Sequence, residues 1–399
     1  MTERSDAKGP LAGVLVLDLS RILAGPTATQ LLGDLGATIL KIESPKGDDT
    51  RSWGPPYADA ETGQLSAYFM SANRNKHSIT ANLKTEEGQA LVRRLAQEAD
   101  ILIENFKPGD LARYGLDYDK ISAINPTLVY CSISGHGQTG PMRDRPGYDL
   151  MAQGFGGIMS LTGAPDGAPM KVGVGIADVM CGMYATVGIL AALRHAEATG
   201  EGQQIDLALV DAQMAWLINE GANYLTSGNV PARRGNAHPN IVPYDVFACS
   251  DGHVIIAVGN DTQFARFCAA IDRPDLAEAP DYATNPLRIA NREPLTKAIA
   301  QTLATWKAAD LITALYAVSV PAGPIHDVAQ ALGSDQAQAR GAVIAMDQPA
   351  ADDGAVRLLG NPLKLSRTPV TYRHAPPTPG ADTDQLDDIL SKLRRLRDC

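Results

Sequence analysis

Val14-Leu15-Val16-Leu17-Asp18-Leu19-Ser20-Arg21-Ile22-Leu23-Ala24-Gly25-Pro26 decides the fold class of this chain. Val14 to Leu17 is a short unbroken apolar run, the pattern of a strand buried on both faces. Ser20 to Gly25 then reads as a turn that delivers Pro26 to the first position of a helix ending near Leu35. Residues 38–42 supply the next strand, and the unit recurs. A strand at 78–83 is followed by Thr85 as the cap of a helix over 86–98, a strand at 101–103, a helix near 118–124 and a strand at 128–132. A long helix over 177–198, a strand at 204–210 and a helix over 211–225 complete the series. Strands alternating with helices predict an α/β domain with a parallel sheet and helices on both faces.

Beyond Ser227 the texture changes. Residues 228–243 are rich in Gly, Asn, Pro and Arg and predict a loop, and the segments 244–249 and 253–258 flank the hairpin signal Ser250-Asp251-Gly252. With helices near 262–271, 292–305 and 309–317, residues 226–334 predict a smaller α+β domain. Strand-like pieces near 342–346 and 356–359 and a charged helix near 383–397 end the chain.

Composition narrows the function. The 399 residues carry 35 Lys+Arg against 45 Asp+Glu, a net charge of −10 that argues against a general nucleic-acid or anionic-membrane binder. Hydrophobic residues make up 45%, enough for full cores, and the length predicts two domains. Met1 to Pro10 are polar and hold Glu3, Arg4, Asp6 and Lys8, without the apolar run of a secretory signal, so a cytoplasmic protein is expected. The five cysteines (Cys131, Cys181, Cys249, Cys268, Cys399) are scattered and never spaced as CxxC, so neither a disulfide framework nor a metal site is expected.

Four features bear on chemistry. From Val172 to Leu193 run 22 residues with a single charge, Asp178. By length the stretch can span a membrane, but its glycines and alanines suit a buried helix of a soluble protein better. Asp178 then has two readings: a carboxylate that caps the helix start, or a nucleophile toward an activated acyl carbon in a glycine-rich setting that a ligand can approach. The second feature is Ser132-Ile133-Ser134-Gly135-His136-Gly137-Gln138-Thr139-Gly140-Pro141, a polar turn at the carboxyl end of a strand, where open α/β folds bind ligands. Third, Asn105-Phe106-Lys107-Pro108-Gly109, leading to Arg113, can hold phosphates and a purine, or form a solvated loop. Fourth, Glu43 stands 18 residues beyond Gly25, close to the spacing of a dinucleotide-binding acid, but the turn before Pro26 lacks the three glycines of that site, and no GxxxxGK[ST] occurs.

In combination with Pro10-Leu11-Ala12-Gly13-Val14, Asn73-Arg74-Asn75-Lys76, Arg145-Pro146-Gly147-Tyr148-Asp149 and Ala177-Asp178, these segments make the chain resemble the class III CoA-transferase family (CaiB/BaiF type) over nearly its whole length. The resemblance implies a Rossmann-like large CoA-binding domain from residues 1–225 plus 335–399, a small α+β domain from 226–334, and an interlocked-ring homodimer. It implies an enzyme of acyl-CoA metabolism that moves CoA from an acyl-CoA to a carboxylic acid through an aspartyl-CoA intermediate on Asp178. CoA is then a substrate, and no cofactor is held permanently. The implied CoA contacts are Leu23, Ala24, Asn82, Lys84, Asn105, Phe106, Lys107, Arg113, Ser134, Gly135, His136 and Gly137, and the implied lid is Gly235, Asn236 and His238 within residues 235–240.

Two departures bear on subclass. The 2-methylacyl-CoA racemases of the family, the alternative activity, need a histidine in a Gly-His-Asp triplet, where this chain reads Gly147-Tyr148-Asp149. Formyl-CoA transferases carry a glutamine where this chain has Leu23, which points away from oxalate and formate. Arg233 and Arg234 beside the lid can hold the far carboxylate of a dicarboxylic acyl group; solvent exposure or a dimer contact is the other reading.

Overall fold

Six segments build the central sheet: Leu15–Asp18 (β1), Thr38–Glu43 (β2), Lys76–Thr80 (β3), Ile101–Glu104 (β4), Val129–Ser134 (β5) and Gln204–Ala208 (β6). In the computed structural model, which describes residues 9–398, they lie in the order β3-β2-β1-β4-β5-β6 and every neighbouring pair is parallel. This is the doubly wound α/β order, and the chain changes direction across the sheet between β1 and β4. Side chains alternate between two apolar layers, as strand geometry requires. Val16 packs with the Ala24–Asp34 and Ile176–Thr199 helices on one face, and Leu15 and Leu17 pack with the Glu86–Glu98 and Leu386–Arg397 helices on the other. Leu386, Ile389, Leu390 and Leu393 bring the end of the described chain into this second layer.

One face of the long apolar helix is core. Ala177, Met180, Cys181, Ala185, Ile189 and Ala192 are all buried. Gly182 allows it to cross the Ala24–Asp34 helix closely, since a Cβ there would stand 2.6 Å from the Ala24 carbonyl oxygen.

Strand β3 starts two residues before the expected 78–83, because Lys76 is a buried strand residue. Its Nζ donates to Asp18 Oδ2 (3.2 Å), Asn73 Oδ1 (2.9 Å) and the Pro26 carbonyl (3.0 Å). On β2, Lys41 Nζ donates to Asp48 Oδ2 (2.9 Å) and the Ser20 carbonyl (3.0 Å), and all four charged side chains have no exposure. Burial alone would push the Asp18 carboxyl up, but Lys76 and Lys41, with hydrogen bonds from Ser20 and Thr29, hold it below the ordinary range.

The chain divides into two compact units. The first takes in Lys171–Leu217 and the described parts of Met1–Ile158 and Asp335–Cys399, and includes an antiparallel pair, Val343–Asp347 with Ala355–Leu359. The second comprises Met159–Met170 and Ile218–Ser334, so it starts earlier than residue 226 and recruits a segment from the middle of the sheet domain's sequence. The helix expected over 211–225 is broken: Leu209–Ala215 belongs to the first unit and Ile218–Ser227 to the second, with Ile218 at φ 41° between them. An antiparallel sheet of Tyr244–Cys249, Gly252–Ala257 and Ala322–Pro324 packs on Phe264, Phe267, Leu295, Ile299, Leu311 and Leu315 from the second unit's helices. The polar start of the chain, Met1 to Lys8, and Cys399 lie outside the described residues.

Replacing Lys76 with Met leaves the Asp18 carboxylate buried beside Lys41 alone. Urea unfolding of Lys76→Met is expected to show a loss of roughly 3–5 kcal/mol, the cost of stranding a buried charge. A loss below about 1 kcal/mol, the range of an exposed pair, would show that the network contributes little.

Candidate active site

The carboxyl ends of β1, β4 and β5 open onto a cavity of about 220 Å³ within the first unit, at the point where the strand order reverses. Arg21 to Ala24 leave β1 along one wall, Asn105 to Pro108 leave β4 along another, Ser134 and Gly135 end β5, and Asp178 lies between them. The turn after β1 is strained. Ile22 has φ 71°, a conformation a β-branched residue adopts only under constraint, at a cost of order 1–3 kcal/mol. Its neighbour is fixed by Asn105, whose Oδ1 accepts the Arg21 N–H (2.9 Å) and whose Nδ2 donates to the Arg21 carbonyl (2.7 Å). Gly25 completes the turn, since a Cβ there would stand 2.3 Å from the Ser20 side chain.

A second pair of glycines sets the opposite wall. Gly135 and Gly147 meet backbone to backbone, and a Cβ on Gly147 would fall 2.1 Å from Gly135 Cα. This contact fixes the start of the Asp149–Phe155 helix. Asp149 Oδ1 accepts the Ala177 N–H at 2.8 Å and lies 3.4 Å from the Asp178 nitrogen; its Oδ2 accepts Gln153 Nε2 at 2.7 Å. Gln153 Oε1 in turn accepts the Val172 N–H at 2.9 Å. The cap of the Ile176–Thr199 helix is therefore Asp149, from a different helix. Asp178 does not cap: it is the third helical residue, and its carboxylate accepts no hydrogen bond from any described residue. It is 9% exposed, and burial first, then the charge of Asp149, pushes its carboxyl up to about 7.

Of the expected contacts, Leu23, Ala24, Asn105, Phe106, Lys107, Ser134 and Gly135 line the cavity with Asp178. The side-chain amide of Asn105 is committed to the Arg21 backbone, so it holds the two walls together. Others stand apart. Asn82 and Lys84 follow β3 at the sheet edge, where Asn82 Oδ1 accepts the Lys84 N–H. Arg113 pairs with Asp110 (3.0 Å), the His136 ring packs edge-on to Phe155 (5.6 Å), and the Gly137 N–H donates to Ser134 Oγ (2.9 Å). Gly235, Asn236 and His238 belong to the second unit, where Arg292 donates to the carbonyls of His238 and Pro239. In that unit Arg233 donates to the Ala164 and Gly167 carbonyls and Arg234 pairs with Glu220 at 3.0 Å.

Several residues around the cavity were not among the contacts expected from sequence. Arg145 and Tyr148 line the cavity, and their signal was the motif that Gly147 anchors. Tyr68 is half-buried, and burial, then the charges of Asp178, Asp149 and Asp48, push its hydroxyl up to about 12. Glu104 ends β4 beneath the Asn105 turn; its Oε2 accepts the Phe106 N–H (2.7 Å), and burial pushes its carboxyl up to about 7. Among the described residues no group of three or more His, Cys, Asp or Glu could hold a metal ion.

The chain matches CoA-transferase family III over residues 11–383. It is 47% identical over 398 residues to the succinate–glutarate CoA-transferase of Agrobacterium fabrum, covering 99% of each chain. It is 40% identical to the acetyl-CoA:oxalate CoA-transferase of Acetobacter aceti, covering 99% of this chain and 98% of that protein. Among solved structures, a CAIB/BAIF family protein from Brucella suis superposes with a TM-score of 0.85 at 48% identity, covering 96% of this chain and 100% of that one.

A buried carboxyl whose pKa is raised in the fold above its unfolded value disfavours folding increasingly as pH rises from the unfolded toward the folded value. Asp178→Asn is therefore expected to be more stable than the parent at pH 8 and near parity at pH 4, the difference reaching roughly 2 kcal/mol or more. Melting curves at both pH values check this; equal stabilities at pH 8 would place Asp178 in an unperturbed environment.

Proposed function

This chain belongs to CoA-transferase family III and is an acyl-CoA:carboxylate CoA-transferase, and we propose that it exchanges CoA between dicarboxylic acids with Asp178 as the covalent nucleophile. The observation that carries the reading is the uncommitted Asp178 carboxylate in a cavity at the carboxyl ends of the strands. The relatives named for succinate–glutarate and for oxalate transfer support dicarboxylic acids as the substrate class.

The steps balance without an outside reagent. The Asp178 carboxylate attacks the thioester carbonyl of the donor, the C–S bond breaks, and a mixed anhydride and CoA thiolate result. The thiolate attacks the Asp178 carbonyl carbon, releasing the donor acid and leaving an aspartyl-CoA thioester. The acceptor carboxylate then attacks that thioester, and the thiolate returns to the acceptor's acyl carbon, which regenerates Asp178. Both intermediates would hydrolyse in open water, and the burial of Asp178 limits that loss. Lys107 and Arg145 line the cavity without an ion-pair partner among the described residues and suit the anionic groups of CoA and of the acids. CoA thus enters and leaves as substrate. Residues 235–240 serve as the lid in this reading.

The protein works as a homodimer in this proposal. Met183, Tyr184 and Val187 on the Asp178 helix are 49%, 41% and 66% exposed in the single chain, an apolar surface that a second copy would cover.

Incubation with succinyl-CoA and glutarate labelled with ¹⁸O in its carboxylates is expected to yield glutaryl-CoA and to leave one ¹⁸O on Asp178, read as a 2 Da gain in its peptide. Asp178→Ala should lose at least about a thousandfold in rate, the scale seen when a covalent nucleophile is removed. The rate of the parent should rise with pH through about 7 as Asp178 ionises. Full activity in Asp178→Ala, or no exchange with any donor and acid pair, overturns the reading.

A further inference from the structure

We propose that Asp149 is the positioning residue of the reaction: by occupying the first amides of the Ile176–Thr199 helix it keeps the Asp178 carboxylate from capping its own helix and leaves it free to attack. The inference rests on Asp178 being the nucleophile. A carboxylate in the first turn of a helix ordinarily turns back onto unpaired amides, a common fate of acidic residues there. Here that role is filled from outside. Asp149 Oδ1 holds the Ala177 amide at 2.8 Å, its Oδ2 is held by Gln153, and Gln153 holds the Val172 amide, so the whole segment from 172 to 178 is pinned to the Asp149–Phe155 helix. The N-cap residue itself is Gly175, which has no side chain to offer, and a Cβ there would meet Leu23 at 3.0 Å. Capping from another helix is therefore the arrangement that the packing permits.

The same carboxylate also acts through its charge. The groups coupled to Asp178 are Asp149 from the Asp149–Phe155 helix, Tyr68 from the Ala67–Ser71 helix and Cys181 on its own helix; the cations Arg21, which pairs with Asp49, Lys107 and Arg145 line the same cavity. Tyr68 stays neutral at working pH, so Asp149 is the anion beside the nucleophile. A carboxylate next to a fixed negative charge is more basic, and basicity raises nucleophilicity once the group is ionised.

Two variants separate the cap from the charge. Asp149→Asn keeps an acceptor for the Ala177 amide and removes the charge; its acid limb in the kcat/KM profile is expected to move down by about one pH unit. Asp149→Ala removes both; its kcat should fall about 10- to 100-fold with the KM for the acyl-CoA within about threefold, and Asn should restore most of that loss. An unmoved acid limb in Asp149→Asn together with an unchanged kcat in Asp149→Ala overturns the proposal, even if melting temperatures drop. The ¹⁸O label on Asp178 in the parent enzyme is read alongside: its absence would defeat the nucleophile reading itself, whereas its presence with unmoved Asp149 variants would defeat only the positioning role.

Discussion

Everything at the site hangs on buried ion pairs under the first turn. Lys41, Lys76 and Arg51 lie among Asp18, Asp48 and Glu43, where β1 and β2 end and β3 begins, and all of them are buried. Equal numbers of cations and carboxylates leave no net charge, and Thr29, Ser20, Ser78 and several carbonyls satisfy the remaining donors and acceptors. Such a cluster is costly to desolvate, so its stability rests on complete pairing more than on Coulomb attraction. The consequence is geometric. Lys41 and Lys76 hold the Ser20 and Pro26 carbonyls, which fixes both ends of the turn that lines the cavity. Ile22 can then be kept at positive φ, because the turn has no freedom to relax.

Above that base, glycines decide how closely the walls approach. Gly25, Gly135, Gly147, Gly175 and Gly182 each sit where a Cβ would meet a neighbour at 3.0 Å or less. Together they draw the β1 turn, the β5 turn and the Asp178 helix onto one point. Close approach of backbones also removes water from around Asp178, which is the first cause of its raised pKa.

The parallel sheet was legible in the sequence because its central strands β1, β4 and β5 are largely apolar runs and its helices carry cap signals, as at Thr85, whose side chain accepts the Gly88 N–H. Asp178 was legible for a related reason: one charge in a long apolar run stands out. Lys76 was not, since a pattern of apolar residues places a lysine outside the strand, and only the partner Asp18, 58 residues earlier, makes it an interior residue. Recruitment of residues 159–170 into the second unit was equally hidden, because Gly163 and Gly235 pair backbone to backbone across a distance in sequence that leaves no local pattern. Asn82 and Lys84 came from the family likeness alone and Arg113 from its place after the Asn105 turn, and in this chain the described cavity is built without them.

Asp178 also shows which of two opposing effects wins at a helix start. The macrodipole and free amides of a first turn stabilise a carboxylate there and lower its pKa, by an amount worth about 0.3–1 kcal/mol at exposed sites. Burial and a second carboxylate act the other way. The outcome of about 7 shows that they dominate, and the hydrogen-bond geometry says why: the amides that would have favoured an anionic Asp178 are already engaged by Asp149. As the proposed nucleophile, Asp178 is half-ionised near neutrality, a loss of about twofold in its active form at a pH equal to its pKa. In exchange the ionised fraction carries no hydrogen bond that must break before attack. In the proposed mechanism, where the side chain itself becomes an anhydride and a thioester, that freedom matters more than full ionisation, because every strong bond to the carboxylate in the ground state would add to the barrier.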